Sequence, residues 1–337
     1  MREVAARAGV SLATVSFVVN GTKNVSPATR RRVTAAMDEL GYRHNVVARA
    51  LASRRTRIVA LLFPAVAERL SGIALGMFLA AASRASELVY HLVLWPTGPD
   101  GDDLGDLVAS GLADGVVVME VQLEDRRVAT LRHLDVPFVS LGRPADLDGL
   151  PYVDMDFAAT VEVALDHLVG LGHVRTALVL EDFSRGPLVG YGPSVRTEEA
   201  YRAGVAARGI AGTVVPTEPT IPGGRAAADA VLAADPDVTA VLVLQDDAAA
   251  GLLAGLASAG RRVPGDVSVI SLASSRAAGA RTEPALSTLD APGEELARLA
   301  VEALVDRLDG RGDGLVQVLL PCVLHDAGST AAARARA

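Results

Sequence analysis

One cysteine, Cys322, occurs in 337 residues. A lone thiol closes no internal disulfide and joins no cysteine-rich metal site, and it suits a reducing compartment. No apolar run reaches the eighteen or so residues that read as a bilayer span. No basic-then-apolar leader with a small-residue cleavage site opens the chain, so nothing points to export. A cytoplasmic protein without a membrane partner is therefore expected. The six histidines, His44, His91, His133, His167, His173 and His325, never fall in pairs at metal-ligand spacing. No GxGxxG follows a strand-like run, and "GYGPS" at 190–194 lacks the lysine of a phosphate-binding loop. Asp100, Asp102 and Asp103 read as a solvated loop, and His173, in the phrase "GLGH", as a structural residue. These absences leave no catalytic residue, metal ligand or cofactor to assign, and no enzyme is expected. Lysine is nearly missing too, with Lys23 alone among 32 basic residues.

Charge is plentiful but segregated. Residues 1–57 hold ten Arg and one Lys against Glu3, Asp38 and Glu39, a net of +8, within a chain whose formal net charge is −8. A basic head on an acidic body is the asymmetry expected when one end meets a polyanion. The head is also patterned. Val4, Ala5 and Ala8 share one helical face, and Gly9 suits a tight turn. Ser11 is a good N-cap for a second helix, in which Val15, Val18 and Val19 form an inward stripe. Leu12, Ala13, Ser16, Phe17 and Asn20 lie on the opposite face. Ser26 and Pro27 open a third helix as N-cap and first residue, with a stripe of Val33, Ala36, Met37 and Leu40. Three short helices with a tight first turn are a helix-turn-helix module. Its second helix suits a major groove, where apolar side chains meet thymine methyls.

From residue 58 the chain alternates helical patterns with continuous apolar runs: "IVALLF", "YHLVLW", "GVVVM", "PFVSL", "TALVL", "AVLVLQ" and "VSVIS". Such runs read as parallel strands buried on both faces, hence a doubly wound α/β body. Ligands in such folds sit beyond the carboxyl ends of the strands.

"MREVAARAGVSLATVSFVVNG", "VSPATRRRVTAAMDELGYRHN" and "VVARALA" together resemble the N-terminus of the LacI/GalR family of bacterial transcription repressors. "LADGVVVM", "VDMDFAATVEVALDHLVGLGHVRTALV", "RTEEAYRAGV" and "AVLVLQDDAAAGLLAGLASAGRRVPGDVSVIS" resemble that family's effector domain. The resemblance covers nearly the whole chain. It implies an all-α helix-turn-helix DNA-binding domain at 1–44, a hinge helix and linker at 45–57, and a two-lobed effector-binding and dimerisation domain at 58–327. That domain is of the type I periplasmic-binding-protein kind. Lobe one is placed at 58–156 and 287–313, lobe two at 157–286 and 314–327, and a disordered tail at 328–337.

The implied function is sequence-specific transcription regulation, as a repressor. The partners implied are duplex operator DNA of palindromic sequence, a second copy of the chain in a homodimer, and a small-molecule effector, a sugar or related metabolite, between the lobes. Thr14, Ser16, Asn20, Ser26 and Thr29 are implied at phosphates. Leu12, Ala13 and Phe17 are implied at bases, and Ala48, Arg49 and Leu51 in the minor groove, where Leu51 wedges between base steps. Ser11, Arg30 and Asn45 belong to the same DNA-facing set. The alternative for 45–57 is a plain solvated linker.

Departures from the family pattern matter. Phe17 replaces a usual Arg, the commonest reader of guanine edges. Phe17 then either packs on a thymine methyl or sugar edge or folds back onto its own module. His44 stands where proline is frequent, and Met1 falls inside the first helix. In the cleft, Arg196, Gln245 and Asp246 match effector-binding positions, with a helix-start ion pair and a cap as the structural alternative for Arg196 and Asp246. Phe157, Ala273 and Ala327 stand where polar residues are frequent, and "PAVAERLSG" lacks an aromatic pair. The effector-binding set therefore reads as thinned. The competing function, a soluble sugar-binding or sugar-metabolising protein with the same body, gives the basic head no role.

Overall fold

The computed structural model describes all residues except 21–22, 42–54, 65–71, 99, 102, 185, 187, 313–314 and 335–337, together with the side chains of 19 and 20. The chain divides into two compact units, Met1–Thr56 and Arg57–Ala337.

The first unit is three helices, α1 (Arg2–Ala8), α2 (Leu12–Asn20) and α3 (Pro27–Glu39). Gly9 ends α1 at φ 63°, a left-handed turn that glycine makes without steric cost. Val4, Ala5, Ala8, Val15, Val33 and Ala36 form its core, with Val10, Val18 and Met37 packed against them. Leu40, expected in that core, is 44% exposed. It caps the end of α3, where its backbone has already left the helix.

The second unit contains two six-stranded sheets. In chain order its elements are β1 (Ile58–Pro64), α4 (Gly72–Glu87), β2 (His91–Thr97), α5 (Leu104–Ser110), β3 (Gly115–Val118), α6 (Arg126–His133), β4 (Phe138–Leu141), β5 (Tyr152–Met155) and α7 (Phe157–Gly170). There follow β6 (Arg175–Glu181), α8 (Gly192–Arg208), β7 (Ala211–Thr217), α9 (Ile221–Ala234), β8 (Ala240–Val243), α10 (Asp246–Ser258) and β9 (Ser268–Ser274). Last come α11 (Arg276–Gly279), β10 (Ser287–Asp290), α12 (Gly293–Leu308), β11 (Gln317–Leu320) and β12 (Val323–His325). One sheet has the order β11-β5-β4-β3-β1-β2 and the other β12-β10-β9-β8-β6-β7. The pairings are parallel except β10 with β12.

Helices cover both faces of each sheet, which is why the strands are apolar at successive positions. Val59 and Leu61 pack under α4 and α12. Their neighbours Ala60 and Leu62 pack under α5 and α6 on the other face. The second sheet repeats this, with Val241 and Val243 against α9 and α10 and Leu242 against α7 and α8. The fold class read from the sequence is the one observed, a helical head and a doubly wound two-lobed body.

Lobe boundaries differ from the expectation near the C-terminus. The segment 287–313 does not return to the first lobe as a whole, because β10 pairs with β9 in the second sheet and only α12 packs on the first. Conversely β11, expected in the second lobe, pairs with β5 in the first. The backbone hydrogen-bonding edges left open by β9 and β5 decide these placements. The tail expected to be disordered is docked through residue 334. Ser329 donates to the Val269 carbonyl at 2.5 Å, and the Ala333 amide donates to Leu171 at 2.8 Å. Five strands fall outside the seven apolar runs: β5, β10, β11 and β12 are only three or four residues long, and β7 is an edge strand diluted by Gly212 and Pro216.

Helices α9 and α10 approach so closely that a methyl at 224 would meet the Ala248 carbonyl and one at 251 the Ile221 carbonyl. Gly251→Ala is expected to destabilise the second lobe by about 1–3 kcal/mol or more through overpacking, measured as a lower urea midpoint. An unchanged midpoint would show that the helices separate freely.

Candidate functional site

In the head, two serine caps set the helix ends that face outward. Ser11 Oγ accepts from the Thr14 amide at 3.1 Å and lies 2.9 Å from the Thr14 hydroxyl. Ser26 does the same with Thr29, at 3.2 and 2.9 Å. Each cap satisfies an orphan helix N–H and fixes two hydroxyls at a helix start. On α2, Leu12 is 46% exposed and Ala13 is exposed. Thr14, Ser16 and Phe17 are half-buried, and α2 carries no charged side chain. Phe17 lies outside the core cluster of the head, and the Lys23 ammonium sits over its ring, 5.0 Å from the centroid. Arg30, Arg31 and Arg32 are exposed on α3. Ser11, Leu12, Ala13, Thr14, Ser16, Phe17, Ser26, Thr29 and Arg30 are thus brought onto the first turns and outer sides of α2 and α3. Asn45, Ala48, Arg49, Leu51 and the side chain of Asn20 lie outside the described residues.

In the second unit a cavity of ≈ 470 Å³ opens between the two sheets. Its polar lining comes from strand ends: Glu120 beyond β3, Asp154 on β5, Glu181 on β6, and Gln245 and Asp246 beyond β8. Its apolar lining includes Met77, Met119, Phe157 and Leu296. Phe183 and Tyr191 stack at a tilt, with ring centroids 4.8 Å apart.

The loop after β3 is shaped from below by a buried ion pair. Arg127, 1% exposed, donates to the Asp125 carboxylate at 2.7 Å and to the Met119 and Glu120 carbonyls at 2.9 and 3.0 Å. Glu120 is thereby held at φ 53°, where the Tyr191 hydroxyl donates to it from the other lobe. Burial, and then the negative charge of Glu120, raises the Tyr191 phenol well above its ordinary range, so it stays a donor.

Among the predicted effector ligands, Gln245 and Asp246 line the cavity and Arg196 does not. Arg196 donates from α8 to the carbonyls of Arg143 and Pro144 in the first lobe, at 2.7 and 3.1 Å. It joins the lobes instead of facing the cavity. The ion pair suggested as its structural alternative is likewise not what these bonds show. Asp246 accepts from the Ser274 and Ser271 hydroxyls at 2.5 and 3.3 Å, and burial raises its carboxyl above the ordinary value. The Oε1 of Gln245 is buried without a hydrogen-bond partner. Ala273 and Phe157 line the cavity, whereas Ala327 does not. His173 is buried, its ring bonded to Thr239 and to the Ala331 carbonyl at 2.9 and 3.0 Å.

The family pattern described as bacterial regulatory proteins of the lacI family matches residues 1–45, and a periplasmic-binding-protein-like domain matches 165–330. The HTH-type transcriptional regulator CelR of Thermobifida fusca is 35% identical over 285 residues, 81% of each chain. A solved CelR–cellobiose complex superposes with TM-score 0.72 at 32% identity, covering 97% of this chain and 98% of that one. A lac repressor dimer bound to operator and the anti-inducer ONPF gives 0.80 at 25% identity, covering 98% of each. The chain belongs to the LacI family of bacterial transcriptional regulators.

For this LacI-family chain the sequence reading missed Glu120, Asp154, Glu181, Phe183, Tyr191 and Arg281, all on the cavity wall. A signal existed for the first three, since each stands at or just past the end of a strand. The cleft is consequently richer in polar groups than expected, and Phe183 with Tyr191 supplies an aromatic face that the 64–72 loop sequence lacks. Among the described residues no cluster of metal-ligating side chains occurs.

Asp154 gives a measurable consequence. Burial pushes its carboxyl up to about 6, against the opposing pull of the Met155 amide, Arg196 and Arg143. A folded value above the unfolded one stabilises the protein in full below about pH 4, and this contribution is lost as pH rises through about 6. Asp154→Asn does not titrate. Its stability relative to the parent should therefore improve between pH 4 and 7, by on the order of 2–3 kcal/mol. Urea unfolding of both proteins across that range checks this, and a pH-independent difference would mean that Asp154 is ionised throughout.

Proposed function

We propose that the protein is a cytoplasmic repressor that binds a near-palindromic operator as a homodimer and is controlled by a sugar-class effector in the interlobe cleft. The observation that carries this reading is one chain holding both an exposed, charge-free α2 beside the arginines of α3 and a polar, aromatic-lined cleft. Apolar and hydroxyl groups on α2 suit base edges and phosphates, and exposed arginines on α3 suit the backbone. The 45–57 segment serves as a hinge whose Leu51 wedges the operator centre.

In the cleft, sugar hydroxyls donate to Asp154, Asp246 and the free Gln245 Oε1, while the Phe183–Tyr191 pair offers a face to the sugar ring. CelR, solved with cellobiose, supports a sugar. No catalytic step is needed for this role, and DNA as partner implies the cytoplasm. Among the described residues no helix is long and apolar enough to cross a membrane.

The dimer surface is assigned to α4 and the edge strand β2. Leu75 and Leu79, 55% and 65% exposed, stand four residues apart on one helical face, and Leu94 is exposed on β2. A second copy covering these leucines also covers the open edge.

Operator affinity should fall with salt at about 0.9 log unit per log unit for each phosphate neutralised, measured by titration against a selected site. Affinity independent of salt contradicts a DNA contact. Leu79→Glu should convert a dimer to a monomer in sedimentation at micromolar concentration and weaken operator binding at least ~10-fold, because one helix reads too few bases alone. A monomeric parent with full operator affinity contradicts the dimer.

A further inference from the structure

Guanine edges in the major groove present two acceptors, N7 and O6, and are read by cationic or other donors. The recognition surface of this head has little to offer them. Helix α2 has no charged side chain. Leu12 and Ala13 carry no donor, and the Thr14 hydroxyl is engaged with Ser11. Among the described helices of the head, arginines lie on α1 and α3. One cation touches a side chain on the outer face of α2. The Lys23 ammonium rests 5.0 Å from the centroid of the Phe17 ring, within the range of a cation–π contact. Lys23 is also the only lysine in the chain.

We infer that Phe17 and Lys23 form one base-reading unit, in which the ring holds the ammonium where it donates to a guanine edge. This rests on the DNA-binding reading above and adds a specificity-determining residue to it. The family gives the position of Phe17 to an arginine, which carries charge and reach in one side chain. Here the two are divided. The half-buried ring supplies a fixed platform on α2, and an exposed lysine three residues past the helix supplies the charge. An ammonium has three donors and no acceptor, so contact with a ring face leaves N–H groups free for N7 or O6. The ring also removes freedom from a flexible four-carbon stem, so less order has to be imposed when DNA binds. The free edge of the ring stays available to a neighbouring thymine methyl.

Selection from random DNA, followed by affinity measurement on single-base variants of the selected site, tests the unit in the full chain. The parent should select guanine at one symmetric position of each half-site. Lys23→Ala should reduce that preference by roughly 5- to 150-fold, the span of a good base contact, with other positions unchanged. Lys23→Arg should retain it. Phe17→Leu keeps an apolar group of helical propensity in place and should lose the same preference, and the double variant should be no worse than the poorer single one.

If Lys23→Ala weakens every sequence alike and lowers the salt slope by about 0.9, Lys23 is a phosphate contact and the inference fails. It fails equally if Phe17→Leu leaves guanine preferred, since the ring is then no platform. A parent that binds all DNA alike, with no site enriched, overturns the sequence-specific reading itself and the inference with it. A parent that enriches a site lacking the symmetric guanine overturns the inference alone.

Discussion

A parallel strand covered by helices on both faces has little room for a charged side chain except near its end. The body of this protein is organised by that constraint. Val116, Val117 and Val118 are buried on alternate faces of β3, and the next polar residue, Glu120, is already at the cavity. The same holds for β8, where Val241, Leu242 and Val243 run into Gln245 and Asp246. Two sheets meeting end to end therefore concentrate carboxylates, an amide and aromatic rings in one cleft, without any of them weakening the cores.

Bringing charged groups together there has a cost, and the structure meets it locally. Arg127 and Asp125 neutralise each other in the interior and bond the carbonyls that would otherwise be stranded in the β3 loop. Asp154 is paired with Arg143 at 3.1 Å yet still titrates high, because the Met155 amide and the charges of Arg196 and Arg143 together do not offset its burial. Arg196 is drawn to carbonyls of the opposite lobe, so a residue that the sequence pattern marks for ligand serves the lobe junction.

The doubly wound body was legible from its apolar runs because burial on both faces erases alternation, and that signature does not depend on partners far along the chain. The head was legible for a different reason: its caps and stripes are local, and Ser11, Ser26, Val15 and Val33 do what spacing alone implies. What spacing could not supply was the assignment of late segments to lobes. β10 and β11 are short, and the sheet each joins is set by which edge is left open by strands formed more than a hundred residues earlier or just before. The cleft was half legible. Gln245 and Asp246 follow an obvious strand, whereas Phe183 and Tyr191 come from a loop whose sequence announces nothing. Phe17 was recognised as unusual, but its partner Lys23 lies beyond the helix, and no helical period relates the two.

The proposed regulation requires that the head read a specific duplex sequence. Selection of operator sites from random DNA by the full chain addresses it most directly. Convergence on a two-fold-symmetric site is expected, lost when residues 1–57 are removed. Retention of DNA binding by the body alone, or failure of any sequence to emerge from repeated rounds, would contradict it.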